Sequence, residues 1–156
     1  MGGDGLDERV FATVENVVDH GGDAWWLHFS QCRACGQHWM IAQEERIFDE
    51  HFLRRLTSDE ASRISANAEW PSEFLSYERV LRTGHALGIR PGIFLERLSP
   101  SLVWTVEDLK KERADISVEE IAILLGVTEG HAKQLLAAAS SGHDSWWQRT
   151  RRRIGL

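Results

Sequence analysis

The chain has 156 residues, of which 42% are apolar and 27% are charged, and its formal net charge is −6. The length suits one domain, or a small module joined to a second one, and the composition is that of a globular protein rather than a disordered one. No apolar run is long enough to span a membrane, and the acidic N-terminus lacks the basic and apolar segments of a secretory signal. We therefore expect a soluble, cytoplasmic protein.

The charge is unevenly distributed. Residues 1–50 hold ten acids against three bases, whereas residues 101–156 hold eight of each sign. An acidic front half repels nucleic acid and attracts basic partners. The last eight residues carry four arginines, Arg149, Arg151, Arg152 and Arg153. This basic tail could contact phosphate or an acidic surface, or it could be a solvated C-terminus.

The predicted elements begin with a β-meander. Residues 1–8 are rich in glycine and aspartate and predict a disordered tail. Residues 9–43 predict three short antiparallel strands, because β-branched and aromatic residues alternate with two turn-forming segments, 19–23 and 32–36. The adjacent residues Trp25 and Trp26 fall on the second strand, so one should fill the core while the other faces outward.

Helical patterns follow in residues 44–145. Apolar residues recurring at three and four positions predict a helix around Ile47–Leu56, and Thr57-x-x-Glu60 is a capping box that begins the next one. Pro71 suits the first turn of a third helix, and residues 105–113 predict a mostly exposed helix. The fold class is therefore α+β, with residues 9–145 sharing one core and residues 146–156 forming the basic tail.

The turn Cys32-Arg-Ala-Cys35-Gly36 lies between two predicted strands. It resembles one knuckle of a zinc ribbon, which implies a bound Zn²⁺ with Cys32 and Cys35 as ligands. The chain has no other cysteine, so two histidines from among His20, His28, His38 and His51 would complete the set. His28 is the nearest on the preceding strand, and His20 lies in the facing turn. Two alternatives stay open: a redox-active Cys-x-x-Cys, which should open a helix, and a ribbon-like turn whose thiols simply pack or stay free.

Residues 116–139 resemble the helix-turn-helix of sigma factors and related regulators. The matching residues include Ala122, which lets two helices cross closely, and Gly126, which permits a left-handed cap between them. The resemblance implies DNA contacts from the second helix, where His131, Lys133 and Gln134 are candidates, with phosphate contacts from the arginine tail. The other interpretation is a structural helix pair.

No motif of a catalytic site occurs in the sequence, which favours a binding protein over an enzyme. The make-up resembles small, acidic bacterial immunity proteins, which implies a basic, toxin-like protein partner that is neutralised by occlusion. The candidate partner-binding residues are acids that would steer the partner and tryptophans that would anchor it: Asp19, Asp23, Trp25, Trp26, Glu44, Glu45 and Asp49. The alternative is a small helix-turn-helix regulator with a structural zinc knuckle.

Overall fold

The computed structural model describes residues 6–21, 25–88 and 96–141. The chain divides into two compact units, Met1–Pro91 and Gly92–Leu156. The candidates Asp23, Arg149, Arg151, Arg152 and Arg153 lie outside the described residues. The expectation of one shared core stays a prediction.

The first unit contains a four-stranded antiparallel sheet in the order β1-β2-β3-β4, with the strands Val14–Gly21, Trp26–Cys32, His38–Glu44 and Glu50–Arg55. The α+β class is confirmed, but the expected three strands are one too few. A helix, α1 (Leu6–Thr13), precedes the sheet and takes in residues that the sequence pattern placed in the tail and in the first strand.

Strand β4 occupies a segment for which the sequence predicted a helix. Phe52 is buried while Leu53 is 39% exposed, so the side chains alternate as in a strand with one buried face. Ile47 and Phe48 lie in the turn before this strand. Their backbone N–H groups donate to the carboxylate of Glu44, which holds the turn together. The helical recurrence of apolar residues therefore arose from a turn followed by a strand.

The inner face of the sheet packs against two of the helices of the first unit. Helix α2 (Ser58–Asn67) begins at the predicted capping box of Thr57 and Glu60. A 3₁₀ turn, Ser72–Phe74, follows Pro71, and α3 (Tyr77–Ala86) begins only at the N-cap Ser76. The core joins both layers and consists of Leu27, Phe29, Met40, Ala42, Phe52, Leu56, Ala61, Ile64, Trp70, Phe74 and Val80.

The outer face of the sheet is the opposite one, and it carries polar residues. His28 of β2 pairs in register with Ile41 of β3 and Asp19 of β1. The ring of Phe11 from α1 lies over this face, with its centroid 6.0 Å from that of His28 and 5.5 Å from that of His51. Helix α1 therefore covers part of a sheet face that would otherwise be open.

In its described residues, 96–141, the second unit contains three helices: α4 (Pro100–Glu112), α5 (Val118–Leu125) and α6 (Glu129–Ser140). Helix α4 begins at Pro100, after the N-cap Ser99, and it buries Leu102, Val103, Val106 and Leu109. The prediction of a mostly exposed helix starting at residue 105 was therefore wrong, because Ser-Pro starts the helix a turn earlier and adds an apolar face. Among the described residues, no helix is long and apolar enough to cross a membrane.

Candidate functional site

The two adjacent tryptophans of the first unit have different environments. Trp25 is half-buried, donates from Nε1 to the carbonyl oxygen of Phe74 at 3.1 Å, and stacks on Tyr77. Trp26 begins β2 on the outer face and is 38% exposed. Trp25 therefore packs against the core as a partly buried side chain, while Trp26 faces outward. Trp26 is the one that is available to a partner.

A chain of four polar side chains crosses the outer face beside Trp26. His28 Nδ1 lies 2.7 Å from Asp19 Oδ1, and its Nε2 lies 3.1 Å from Gln43 Oε1. Gln43 Nε2 in turn donates to Glu45 Oε1. Both ring nitrogens of His28 thus face oxygen atoms, which fixes the plane of the ring. Gln43 was missed in the sequence; only its outward-facing position on a strand could have indicated it.

The acidic candidates Asp19, Glu45 and Asp49 are exposed. A hydrogen bond from Asn16 Nδ2, together with the contact from His28, holds the pKa of Asp19 below its ordinary value of 3.8, so that this carboxylate is charged at neutral pH. Glu45 and Asp49 lie in the connection between β3 and β4, and Asp49 has a positive φ of 52°. We name Asp19, Trp26 and Glu45 the tryptophan patch.

Glu44 does not belong to an exposed surface. Its side chain is 1% exposed, and its carboxylate accepts hydrogen bonds from the backbone N–H groups of Arg46, Ile47 and Phe48 at 2.8–3.0 Å and from Tyr77 Oη at 2.8 Å. A carboxylate used in this way holds a turn together. We therefore leave Glu44 out of any partner-binding surface.

The cysteine turn joins β2 and β3 as a hairpin. Gly36 has a φ of +71°, and its N–H donates to the carbonyl oxygen of Cys32 at 2.9 Å. Hydrogen bonds from the backbone of Cys35 and Ala34 lower the pKa of the Cys32 thiol below its ordinary value of 9.0. The turn does not open a helix, which disfavours the thioredoxin-like alternative.

The structure does not bring the two candidate histidines to the thiols. His28 is engaged with Asp19 and Gln43, and His20 lies beside the ring of Trp70, with 5.7 Å between centroids. In the described part of the chain, no three His, Cys, Asp or Glu side chains converge as a metal site would require. Zinc binding by Cys32 and Cys35 stays a prediction.

In the second unit a short turn joins α5 to α6. Gly126 ends α5 with a φ of +63°, Ala122 is buried, and Thr128 caps α6 by accepting the N–H of His131. Lys133 and Gln134 are exposed, whereas His131 is half-buried and contacts the carbonyl oxygen of Arg97. Hydrogen bonds from its own backbone and from Ser117 lower the pKa of the Glu119 carboxyl, and the charge of Lys133 lowers it further.

Comparison of the chain with protein-family models, with curated proteins and with solved structures found no match. The function must therefore be argued from the residues themselves.

Proposed function

We propose that the chain is a non-enzymatic cytoplasmic binding protein of the immunity or antitoxin type, which neutralises a basic protein partner by covering its active surface. The observation that supports this proposal best is the exposed Trp26 on the same sheet face as two exposed carboxylates, Asp19 and Glu45, which are bonded to its strand neighbours His28 and Gln43. Tryptophan is strongly enriched among the residues that dominate binding energy, and carboxylates around it favour a basic partner.

The tryptophan patch is held in place before any partner arrives. Gly21 is the partner of Trp26 on β1 and Gln43 is its partner on β3, so both neighbouring strands fix its backbone. The carboxylate of Asp19 is held by Asn16 and His28, and that of Glu45 by Gln43. Groups that are already ordered lose little conformational entropy on binding.

The test is quantitative co-purification of the tagged chain from its native host, followed by binding and activity assays on the protein captured. We expect a stoichiometric basic protein whose capture falls by at least about tenfold with Trp26→Ala, since the loss of an anchoring aromatic side chain costs about 2 kcal/mol or more. Glu45→Gln should mainly slow association and weaken its dependence on salt.

Matched controls lie elsewhere in the same unit. Leu87 is 58% exposed at the end of α3, and Glu69 is exposed just after α2. Leu87→Ala and Glu69→Gln should leave capture unchanged. The proposal fails if the captured protein keeps its own activity in the complex, or if Trp26→Ala binds it as well as the wild type does.

A helix-turn-helix regulator is the second candidate, and the left-handed turn at Gly126 between α5 and α6 favours it. In this proposal Lys133 and Gln134 contact DNA, with the arginine tail supplying phosphate contacts. The exposed face of α6 carries Glu129 as well as Lys133, so its own affinity for phosphate should be low.

Binding of a labelled DNA duplex at several salt concentrations separates the two candidates. A regulator should bind with an affinity that falls steeply as salt rises, and Lys133→Gln should weaken it. Lys111→Gln is the control, because Lys111 is exposed on α4 and pairs with Asp108 at 3.0 Å. Absence of binding by the wild type at low salt would exclude the regulator.

A further inference from the structure

An open cavity of about 440 Å³ lies on the outer face of the sheet. Its walls come from α1, from three strands and from the turn between β2 and β3, and its lining residues are Phe11, Val14, Asn16, His28, Ser30, Arg33 and Gln43. The volume falls within the range of natural small-molecule sites, whose walls are mostly apolar with a few converging polar groups.

Ser30 is the feature of this cavity that points to a ligand. It is 1% exposed, yet its Oγ has no hydrogen-bond partner among the described residues. Buried polar groups are almost always hydrogen-bonded, because an unsatisfied one loses its hydration without compensation. A ligand in the cavity would supply the missing partner.

Strand β1 is irregular where it borders the cavity. Asn16 pairs with Ser30 and Val18 with Phe29, so Val17 is an extra residue that forms a bulge. Bulges re-aim neighbouring side chains and are frequent beside binding sites. Here the bulge directly follows Asn16, which lines the cavity and whose amide nitrogen donates to Asp19.

The polar lining favours an anion. Arg33 carries a positive charge, and its guanidinium contacts the carbonyl oxygen of Ala12 at 3.4 Å, a distance too long for a strong hydrogen bond. No carboxylate is among the described lining residues, and the one that contacts Asn16 and His28, that of Asp19, lies 2.7 Å from a nitrogen of each of these side chains. Phe11 and Val14 provide an apolar wall beside these groups.

We propose that this cavity binds a small organic carboxylate with an aromatic or branched apolar body. The hydroxyl of Ser30 would donate to a carboxylate oxygen, the guanidinium of Arg33 would pair with the charge, and Phe11 would contact the apolar body. Its lining residues Asn16 and His28 also hold Asp19 of the tryptophan patch, but the cavity proposal does not depend on the proposed function.

The test is an NMR titration of the purified full chain with three probes of nearly equal shape: benzoate, benzamide and benzylamine. Benzoate should give saturable shifts of the backbone amides of Asn16, Ser30 and Gln43. Benzamide and benzylamine should bind at least about tenfold more weakly, because a charge-assisted hydrogen bond is roughly twice as strong as a neutral one.

Two variants remove the proposed contacts. Ser30→Ala and Arg33→Gln should each weaken benzoate binding by about tenfold, and Ser30→Ala should leave thermal stability unchanged or higher, because the hydroxyl has no partner. Ser62→Ala and Arg63→Gln, both exposed on α2, are the matched controls and should bind benzoate as the wild type does.

The proposal is overturned by any of three results: no saturable shift at the cavity with benzoate, equal binding of benzamide, or unchanged benzoate binding by both Ser30→Ala and Arg33→Gln. If Ser30→Ala fails to fold, Arg33→Gln on the exposed turn still decides the outcome. Since the test uses only the purified chain, it is independent of whether a protein partner is found.

Discussion

At the scale of single residues, the buried side chain of Glu44 accepts four hydrogen bonds. Its carboxylate accepts three backbone N–H groups of the turn that leads into β4, and Tyr77 of α3 donates a fourth hydrogen bond. A buried carboxylate with this many donors replaces its hydration shell almost completely. The turn and the helix are thereby joined through one side chain.

Replacing Glu44 should therefore destabilise the first unit. Glu44→Gln removes the charge and turns one acceptor oxygen into a donor that faces N–H groups, which should cost about 3 kcal/mol in the free energy of unfolding. The measurement is urea unfolding followed by tryptophan fluorescence. The neighbouring Glu45 is exposed, so Glu45→Gln should change the free energy by less than about 0.5 kcal/mol. Similar effects of the two substitutions would contradict this account.

Sequence patterns predicted some residue environments and missed others. The opposite environments of Trp25 and Trp26 follow from the two-residue period of a strand, so they could be predicted. The burial of Glu44 could not, because it depends on Tyr77, thirty-three positions away in the sequence. The unpartnered Ser30 likewise depends on the register of three strands, which no local pattern contains.

At the scale of elements, the start of α2 is held by a complete capping box. Thr57 Oγ1 accepts the N–H of Glu60, whose carboxylate accepts the N–H of Thr57 at 2.9 Å and pairs with Arg54 at 2.7 Å. The pKa of Glu60 falls from 4.5 to about 2 as a result. The hydrogen bond from the Thr57 backbone is the largest cause and that from Arg54 is the next.

This shift predicts a pH-dependent contribution to stability. Because the pKa of Glu60 is lower in the folded state, its contribution is full above pH 4.5 and is lost as the pH falls towards about 2. Glu60→Gln should cost about 1 kcal/mol at pH 7, and the difference from the wild type should vanish near pH 2. Urea unfolding at both pH values measures it, with Glu69→Gln as the control. A difference that persists in acid would contradict the assignment.

Gly84 shows where a helix approaches the sheet too closely for a larger residue. A Cβ at this position of α3 would lie 2.8 Å from Glu50 Oε2 and 3.1 Å from Phe52 Cζ. Gly84→Ala should therefore destabilise by about 1–3 kcal/mol, despite the better helix propensity of alanine. Gly130→Ala in α6 is the matched case, with no other atom nearer than 4.0 Å, and should stabilise by about 0.5 kcal/mol. Thermal unfolding checks both signs.

Elements whose ends carry a chemical signal were predicted best. The capping box at Thr57 marks the start of α2 correctly, and the glycine at 126 marks the end of α5. Strand β4 was missed, because a turn and a strand together imitate a helical spacing of apolar residues over residues 47–56. Short apolar runs have this ambiguity, and only pairing with β3 resolves it.

At the scale of the whole molecule, the chain divides into two compact units, so each proposed function can be tested with the unit that carries its residues. The tryptophan patch and the cavity belong to the first unit, and the helix pair of α5 and α6 belongs to the second. The second unit has apolar residues of its own from all three helices, among them Leu109, Ile121, Leu125 and Leu135, each almost fully buried. The cluster on the inner face of the sheet is drawn wholly from the first unit.

We therefore expect the fragment of residues 1–91 to keep its sheet when it is produced alone. Hydrophobic burial is the main force that offsets chain entropy, and each unit has a core that its own residues supply. Far-ultraviolet circular dichroism and amide exchange should show β2 and β3 protected as in the full chain, and Trp26 of the fragment should still bind any partner found. Loss of this protection in the fragment would contradict the expectation. The sheet would then depend on contacts from residues beyond 91, as the prediction of one core for residues 9–145 requires.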